Sequence, residues 1–158
     1  ISTNQANWDL IPNGNFEEEA TNWPEQIINQ KGHFVRSTDK AVDGLFSIKT
    51  IIGSHNEGFA HITDKFETIP GQRYVLSAFF HTGKMPNGNL YLDLAQAIDI
   101  KVKATPGKPE WQFRYATFVA TGDFVRVRLV CDGSIRSTYV GYIDCVALTP
   151  VEMFAPSP

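Results

Sequence analysis

The chain has 158 residues, 42% hydrophobic and 20% charged, which rules out a disordered segment and fits one globular domain. Such a length should bury roughly 70% of the unfolded surface. Net charge is −3 with no basic block, so nucleic acid is not an expected partner, and no apolar run of about 18 residues offers a membrane span. Eleven Phe, five Tyr and three Trp form a rich aromatic set, suited to β structure and to ligands recognised through flat apolar faces.

The sequence opens on Ile1 without a signal-peptide pattern, so it is expected to be cut from a larger chain. Period-two alternation dominates, with no amphipathic helix longer than two turns. Strands are expected at 8–16, 32–37, 46–52, 58–66, 73–82 and 89–98. Residues 100–104 continue the last of these or stand alone. Further strands are expected at 111–120, 124–132 and 139–149. Turns fall at Val42-Asp43-Gly44, Ile69-Pro70-Gly71-Gln72, Pro86-Asn87-Gly88 and Pro106-Gly107-Lys108-Pro109. About nine or ten strands without crossover helices imply antiparallel pairing in two facing sheets. The expected fold class is an all-β sandwich of jelly-roll type. Residues 1–150 would form this single domain, and 151–158 the start of a Pro/Ser linker.

Two acids stand inside apolar stretches near opposite ends of the chain. Glu17 ends Leu10-Ile11-Pro12-Asn13-Gly14-Asn15-Phe16-Glu17, and Asp144 sits within Tyr142-Ile143-Asp144-Cys145-Val146-Ala147-Leu148. A carboxylate at a core edge needs a cation or donors, and the two can share one hard cation if the ends are neighbours. Strand parity sets Tyr74, Leu76, Ala78, Phe80, Leu90, Leu92, Leu94, Val125, Val127, Leu129 and Cys131 on core faces. It turns Tyr91, Asp93, Arg126, Arg128, Ser77 and His81 away from the core, together on one sheet. That is either an ordinary solvated face with cross-strand ion pairs or a wet, ligand-binding groove. Cys131 shares parity with Val125, Val127 and Leu129, whereas Cys145 is out of phase with Asp144, Val146 and Leu148, which argues against a disulfide. His33, His55, His61 and His81 lack zinc-like spacing.

The ordered set of 10–17, Trp23, 42–49, 69–77, Trp111 to Phe118 and 142–148 resembles the jelly-roll carbohydrate-binding modules of the family 4, 9, 16 and 22 type, within the galactose-binding-like superfamily. The resemblance covers about 10–150. It departs at Cys145, where the family often has a second acid. It implies a structural calcium, with side-chain oxygens from Glu17 and Asp144 and carbonyls near Asn15, Gly44 and Lys49. Calcium takes six to eight oxygens.

The function expected is non-catalytic binding of a polysaccharide or oligosaccharide by a secreted or cell-surface module tethered to other domains. Sugars present hydroxyls to planar polar groups and C–H faces to rings. Tyr91, Asp93, Arg126, Arg128 and His81 are the candidates on the open face, flanked by Trp23 and Tyr139 from loops. Trp111 is expected in the core. The arginines suit a carboxylated sugar. The alternative is an adhesion or scaffold domain of a larger extracellular protein. Catalysis is not expected. Glu17, Glu18 and Glu19 are adjacent and alternate in direction, so they do not make a glycosidase pair, and no nucleophile elbow is present.

Overall fold

A computed structural model describes residues 11, 14–17, 34–52, 59–62, 65–85, 89–132 and 139–151. Among them are eleven strands: β1 (Phe34–Ser37), β2 (Ser47–Ile52), β3 (Phe59–Ile62), β4 (Phe66–Glu67), β5 (Arg73–Lys84), β6 (Asn89–Leu94), β7 (Ala97–Lys103), β8 (Gln112–Val119), β9 (Phe124–Val125), β10 (Val127–Asp132) and β11 (Tyr139–Pro150). One sheet has the order β1-β2-β11-β5-β8 and the other β3-β10-β6-β7, with β4 and β9 as a short extra pair. Every pairing is antiparallel. The all-β two-sheet sandwich is therefore what the chain forms.

The core lies between the sheets and is made by alternation. Phe34, Ile48, Tyr74, Leu76, Ala78, Phe80 and Leu148 enter from the five-stranded sheet. Leu90, Leu92, Leu94, Val102, Val127, Leu129 and Cys131 meet them from the other. Packing of this kind contributes about 1.5–3 kcal/mol for each large aliphatic or aromatic side chain removed from water.

Three sequence expectations change. The run 89–98 is not one strand: it reverses at Ala95 and Gln96 to make the β6–β7 hairpin. The described part of 8–16 is not strand, because Gly14 and Asn15 turn and Phe16 adopts φ 60°, outside the extended region. The rest of that stretch lies outside the described residues. The run 124–132 is interrupted at Arg126, and its first two residues pair with β4 instead.

The long strand β11 carries an irregularity between Asp144 and Ala147, with Cys145 at φ 52°. A bulge adds one residue and flips the facing pattern. Ile143 and Val146 both reach the core although their parity differs. Cys131 and Cys145 lie on separate sheets and are not bridged to each other.

Candidate functional site

The bulge in β11 is one side of a clasp between the chain ends. The Val146 amide donates to the Gly14 carbonyl at 2.9 Å. Phe16 is thereby seated in the core with no exposure, and Glu17 emerges beside the loop 42–46. Glu17 Oε1 accepts the Leu45 amide and Oε2 the Phe46 amide, each at 2.8 Å. Asp144 Oδ2 accepts the Val42 and Asp43 amides at 2.8 and 3.2 Å, and Oδ1 accepts the Cys145 amide at 2.8 Å. Asn15 Nδ2 donates to Asp43 Oδ2 at 3.1 Å. Gly44, at φ 69°, lies against Glu17, and a Cβ there would overlap its carboxylate. The Arg36 guanidinium donates to the carbonyls of Phe16 and Glu17 and lies 3.4 Å over the Phe46 ring. Burial, with Glu17 nearby, pushes the Asp144 carboxyl up to about 7.

Four of the five calcium candidates, Asn15, Glu17, Gly44 and Asp144, thus meet in one place. Lys49 lies inside β2 between β1 and β11, and its ammonium is 2.8 Å from Asp39 on the sheet face. The two carboxylates give hard oxygen donors: Glu17 Oε1 and Oε2 and Asp144 Oδ1 each accept one amide and keep a lone pair, whereas Asp144 Oδ2 accepts two and keeps none. Among the described residues no group of three or more His, Cys, Asp and Glu is placed to hold a metal. A hard cation here would need main-chain or solvent oxygens to complete its shell.

The outer face of the five-stranded sheet carries a line of rings, of which Phe113 and Tyr115 are exposed, Phe79 and Trp111 half-buried, and His81 and Tyr142 buried. Tyr142 on β11 lies opposite His81 on β5, their rings 6.1 Å apart. Trp111, just before β8, meets His81 edge-on at 5.5 Å. Phe79 contacts Phe113 at 5.0 Å, and Phe113 stacks on Tyr115 at 6.1 Å. Phe113 and Tyr115 are 40% and 60% exposed, a large outlay of apolar surface for an outer face. Polar groups stand beside the rings. The Tyr142 hydroxyl donates to Asp39 Oδ2 at 3.2 Å, and Lys49 binds the same oxygen. His81 Nε2 faces the Pro109 carbonyl at 3.1 Å, so this nitrogen carries the proton. Nδ1 accepts the Gly83 amide. Burial, followed by Lys40, lowers the His81 pKa below its ordinary 6.5, which agrees with the neutral ring these contacts require.

The outer face of the four-stranded sheet is charged instead. Asp93 has no exposure and receives Arg128 Nε and Nη2 at 2.7 Å each. Lys101 Nζ lies 4.7 Å from the Tyr91 ring centroid. So the candidates Tyr91, Asp93, Arg126 and Arg128 share one face as expected, but Ser77 and His81 belong to the opposite sheet. The single face expected from parity is two faces on opposite sides of the sandwich. Parity gives the side of a strand and not the sheet it joins. Trp23 lies outside the described residues, and for Tyr139 only the strand is described.

Sequence reasoning missed Phe79, Trp111, Phe113, Tyr115 and Tyr142. Trp111 was expected in the core, and it lies half-buried at the sheet face. The signal was present in strand 112–119, where Phe113, Tyr115 and Val119 are exposed while Gln112 is buried. Gln112 can turn inward because it is satisfied there: its amide donates to the Thr105 carbonyl and Thr82 hydroxyl and accepts the Thr105 amide.

A cavity of about 300 Å³ opens at one end of the sandwich, between the β6–β7 turn and 118–125. Its walls include Leu94, Ile100, Phe118 and Val125. Gln96, at its rim, already bonds the main chain of Phe124 and Arg126. Asp99 and Thr121 also line it.

The fold is found in known proteins. A family 16 carbohydrate-binding module superposes with TM-score 0.63 and 17% identity over 89% of this chain and 99% of its own. The chain has the jelly-roll fold of the carbohydrate-binding modules. A family 61 module solved with β-1,4-galactotriose superposes on the jelly roll with TM-score 0.65 and 17% identity, over 90% of this chain and 98% of its own. A Fischerella sp. TAU cyclase solved with 4-(1H-indol-3-yl)butan-2-one does so with TM-score 0.53 and 14% identity, over 89% and 96%. At these identities the likeness is one of fold. No protein-family profile and no curated protein matches the chain.

Proposed function

We propose that this chain is a non-catalytic module that binds a polysaccharide on the outer face of its five-stranded sheet. The observation that carries the reading is the ring strip of Trp111, Phe79, Phe113 and Tyr115, backed by the buried His81 and Tyr142 and bordered by Asp39 and Lys49. Rings take the C–H faces of pyranoses, and the bordering polar groups take hydroxyls. An open face of this kind gives modest affinity, in the millimolar to micromolar range, about −4 to −8 kcal/mol. The module is secreted or displayed at a cell surface, and it carries a parent protein to its glycan. Calcium belongs to the clasp of Glu17 and Asp144, where it would strengthen the fold without touching sugar.

Affinity electrophoresis against neutral β-glycans, xylans and galactans tests the reading. Retardation on at least one is expected, and Tyr115→Ala and Trp111→Ala should each weaken it about five- to thirtyfold, the equivalent of about 1–2 kcal/mol. No retardation on any of them defeats the proposal and favours an adhesion or scaffold domain. Turnover of a glycan or an indole substrate by the purified chain would defeat the non-catalytic part.

A further inference from the structure

Neither the clasp nor the ring strip uses the cavity at the end of the sandwich. It measures about 300 Å³, at the lower end of the range of small-molecule sites, roughly 300–1,000 Å³. Its lining reaches the core itself: Leu94, Phe118, Ala120 and Val125 are buried members of the main apolar cluster. Ala97 and Ile100 pack on that cluster yet stay half-buried, and Val119 is 50% exposed. Interiors are normally close-packed, so an apolar recess of this size at the end of a core is surface left for another molecule to cover.

The walls are held by bonds that also use up many of their polar groups. On one side Gln96 donates to the Phe124 carbonyl and accepts the Arg126 amide, each at 3.3 Å, and the Ala95 amide donates to the Arg126 carbonyl at 2.9 Å. The β6–β7 turn is thereby tied to 124–126. On the other side the Ala120 carbonyl accepts the Gly71 amide, the Ala120 amide donates to the Gln72 carbonyl, and the Gly122 carbonyl accepts the Thr68 hydroxyl. Phe118 stacks on Tyr74 at 5.8 Å, and the Tyr74 hydroxyl accepts the Ile69 amide. A site held in this way loses little freedom when it is filled. Asp99 and Thr121, both exposed, stand at its opening. Among the described residues the ion pairs are Lys49–Asp39 and Arg128–Asp93, neither of which involves Asp99.

We propose that this cavity binds a small, uncharged aromatic molecule of about two fused rings. Its apolar walls favour the burial of ring surface, and Phe118 and Phe124 offer aromatic contacts there. Asp99 repels an anionic ligand at the opening, and the chain's net charge of −3 acts in the same direction. A hydroxyl on the molecule can bond Thr121 or Asp99 without being desolvated. The inference does not rest on the glycan reading, since the cavity lies between the sheets and the ring strip lies on an outer face.

The test is isothermal titration of the whole chain with 2-naphthol and with 2-naphthoate. One equivalent of 2-naphthol is expected to bind with Kd of about 0.1–1 mM, and 2-naphthoate about tenfold more weakly. Ala97→Phe fills the recess, and Val119→Lys sets a charge on its wall at a position already half exposed. Each should weaken 2-naphthol about tenfold or more while glycan retardation is unchanged, and Val119→Lys decides the matter if Ala97→Phe fails to fold. Phe113→Thr with Tyr115→Thr should leave 2-naphthol binding as it was. No binding of 2-naphthol overturns the proposal, as does equal binding of 2-naphthoate or full binding by folded Val119→Lys. Loss in the Phe113 and Tyr115 double variant would move the aromatic molecule to the ring strip and overturn it too. Displacement of 2-naphthol by β-1,4-galactotriose would make the cavity part of a glycan site, with the same consequence. A failure of the chain to bind any glycan would defeat the ring strip and leave this site standing.

Discussion

Gly44→Ala is the sharpest test of the clasp. Gly44 sits at φ 69°, and a Cβ there would overlap the Glu17 carboxylate. A left-handed conformation costs a residue with a side chain about 1–2 kcal/mol. Glu17 must also move, which breaks its hydrogen bonds from the Leu45 and Phe46 amides. Leu45 is 69% exposed, so these amides regain water and each bond counts at about 1 kcal/mol. The sum is a loss of about 3–4 kcal/mol. For a domain of this size, that corresponds to a fall in Tm of roughly 6–16 °C. Urea unfolding followed by Trp fluorescence measures it directly. Glu17→Gln is the control, since it keeps the shape and removes the charge. A loss below about 1 kcal/mol for Gly44→Ala would mean that the loop does not rest on Glu17, and the account of the clasp would be wrong.

Chelation with EDTA should lower Tm while glycan affinity, assayed well below the melt, stays the same; binding abolished in a still-folded protein would overturn that separation. Phe80→Ala removes a fully buried ring from the middle of β5 and should cost about 3–5 kcal/mol in chemical unfolding. His81 gives a pH signature. Its pKa is lowered in the folded state, first by burial, so the unfolded chain binds the proton more readily and stability rises with pH. The His81 contribution is complete above the ordinary value of 6.5 and is lost as pH falls below it through the folded pKa. Tm measured across pH 7 to 5 should therefore drop less in His81→Gln than in the parent, and identical profiles would refute the assignment.

The sandwich was legible because alternation is strong where one strand face is apolar. Leu90, Leu92 and Leu94, and Val127, Leu129 and Cys131, read correctly as core from the sequence. Tyr74, Leu76, Ala78 and Phe80 did so too, although burial on β5 extends to the other side at Val75 and Ser77. What alternation cannot carry is a break in its own period. The bulge at Cys145 shifts the phase of β11, and the reversal at Ala95 and Gln96 hides a hairpin inside an apolar run. Ala and Gln are not turn signals, and here the turn is held from outside, by Gln96 on Phe124 and Arg126.

The ring strip was hidden for a physical reason that also supports its role. On β8 hydrophobicity argues that Trp111, Phe113 and Tyr115 face inward, yet the sandwich takes Gln112, Ala116 and Phe118 toward the core side instead. A strand turned inside out exposes apolar rings and buries an amide, and each choice costs stability that the opposite phase would recover. The fold accepts Gln112 only because Thr82 and Thr105 satisfy it completely. Conflicts between local pattern and global fold collect where a surface is shaped for something other than stability. Exchanging that surface should make the protein more soluble and more inert together. Phe113→Thr with Tyr115→Thr keeps the β-forming backbone and removes the exposed rings, so it should leave Tm within a few degrees while glycan retardation disappears. A large drop in Tm would mean that the rings serve the fold, and the inside-out strand would then need no ligand to explain it.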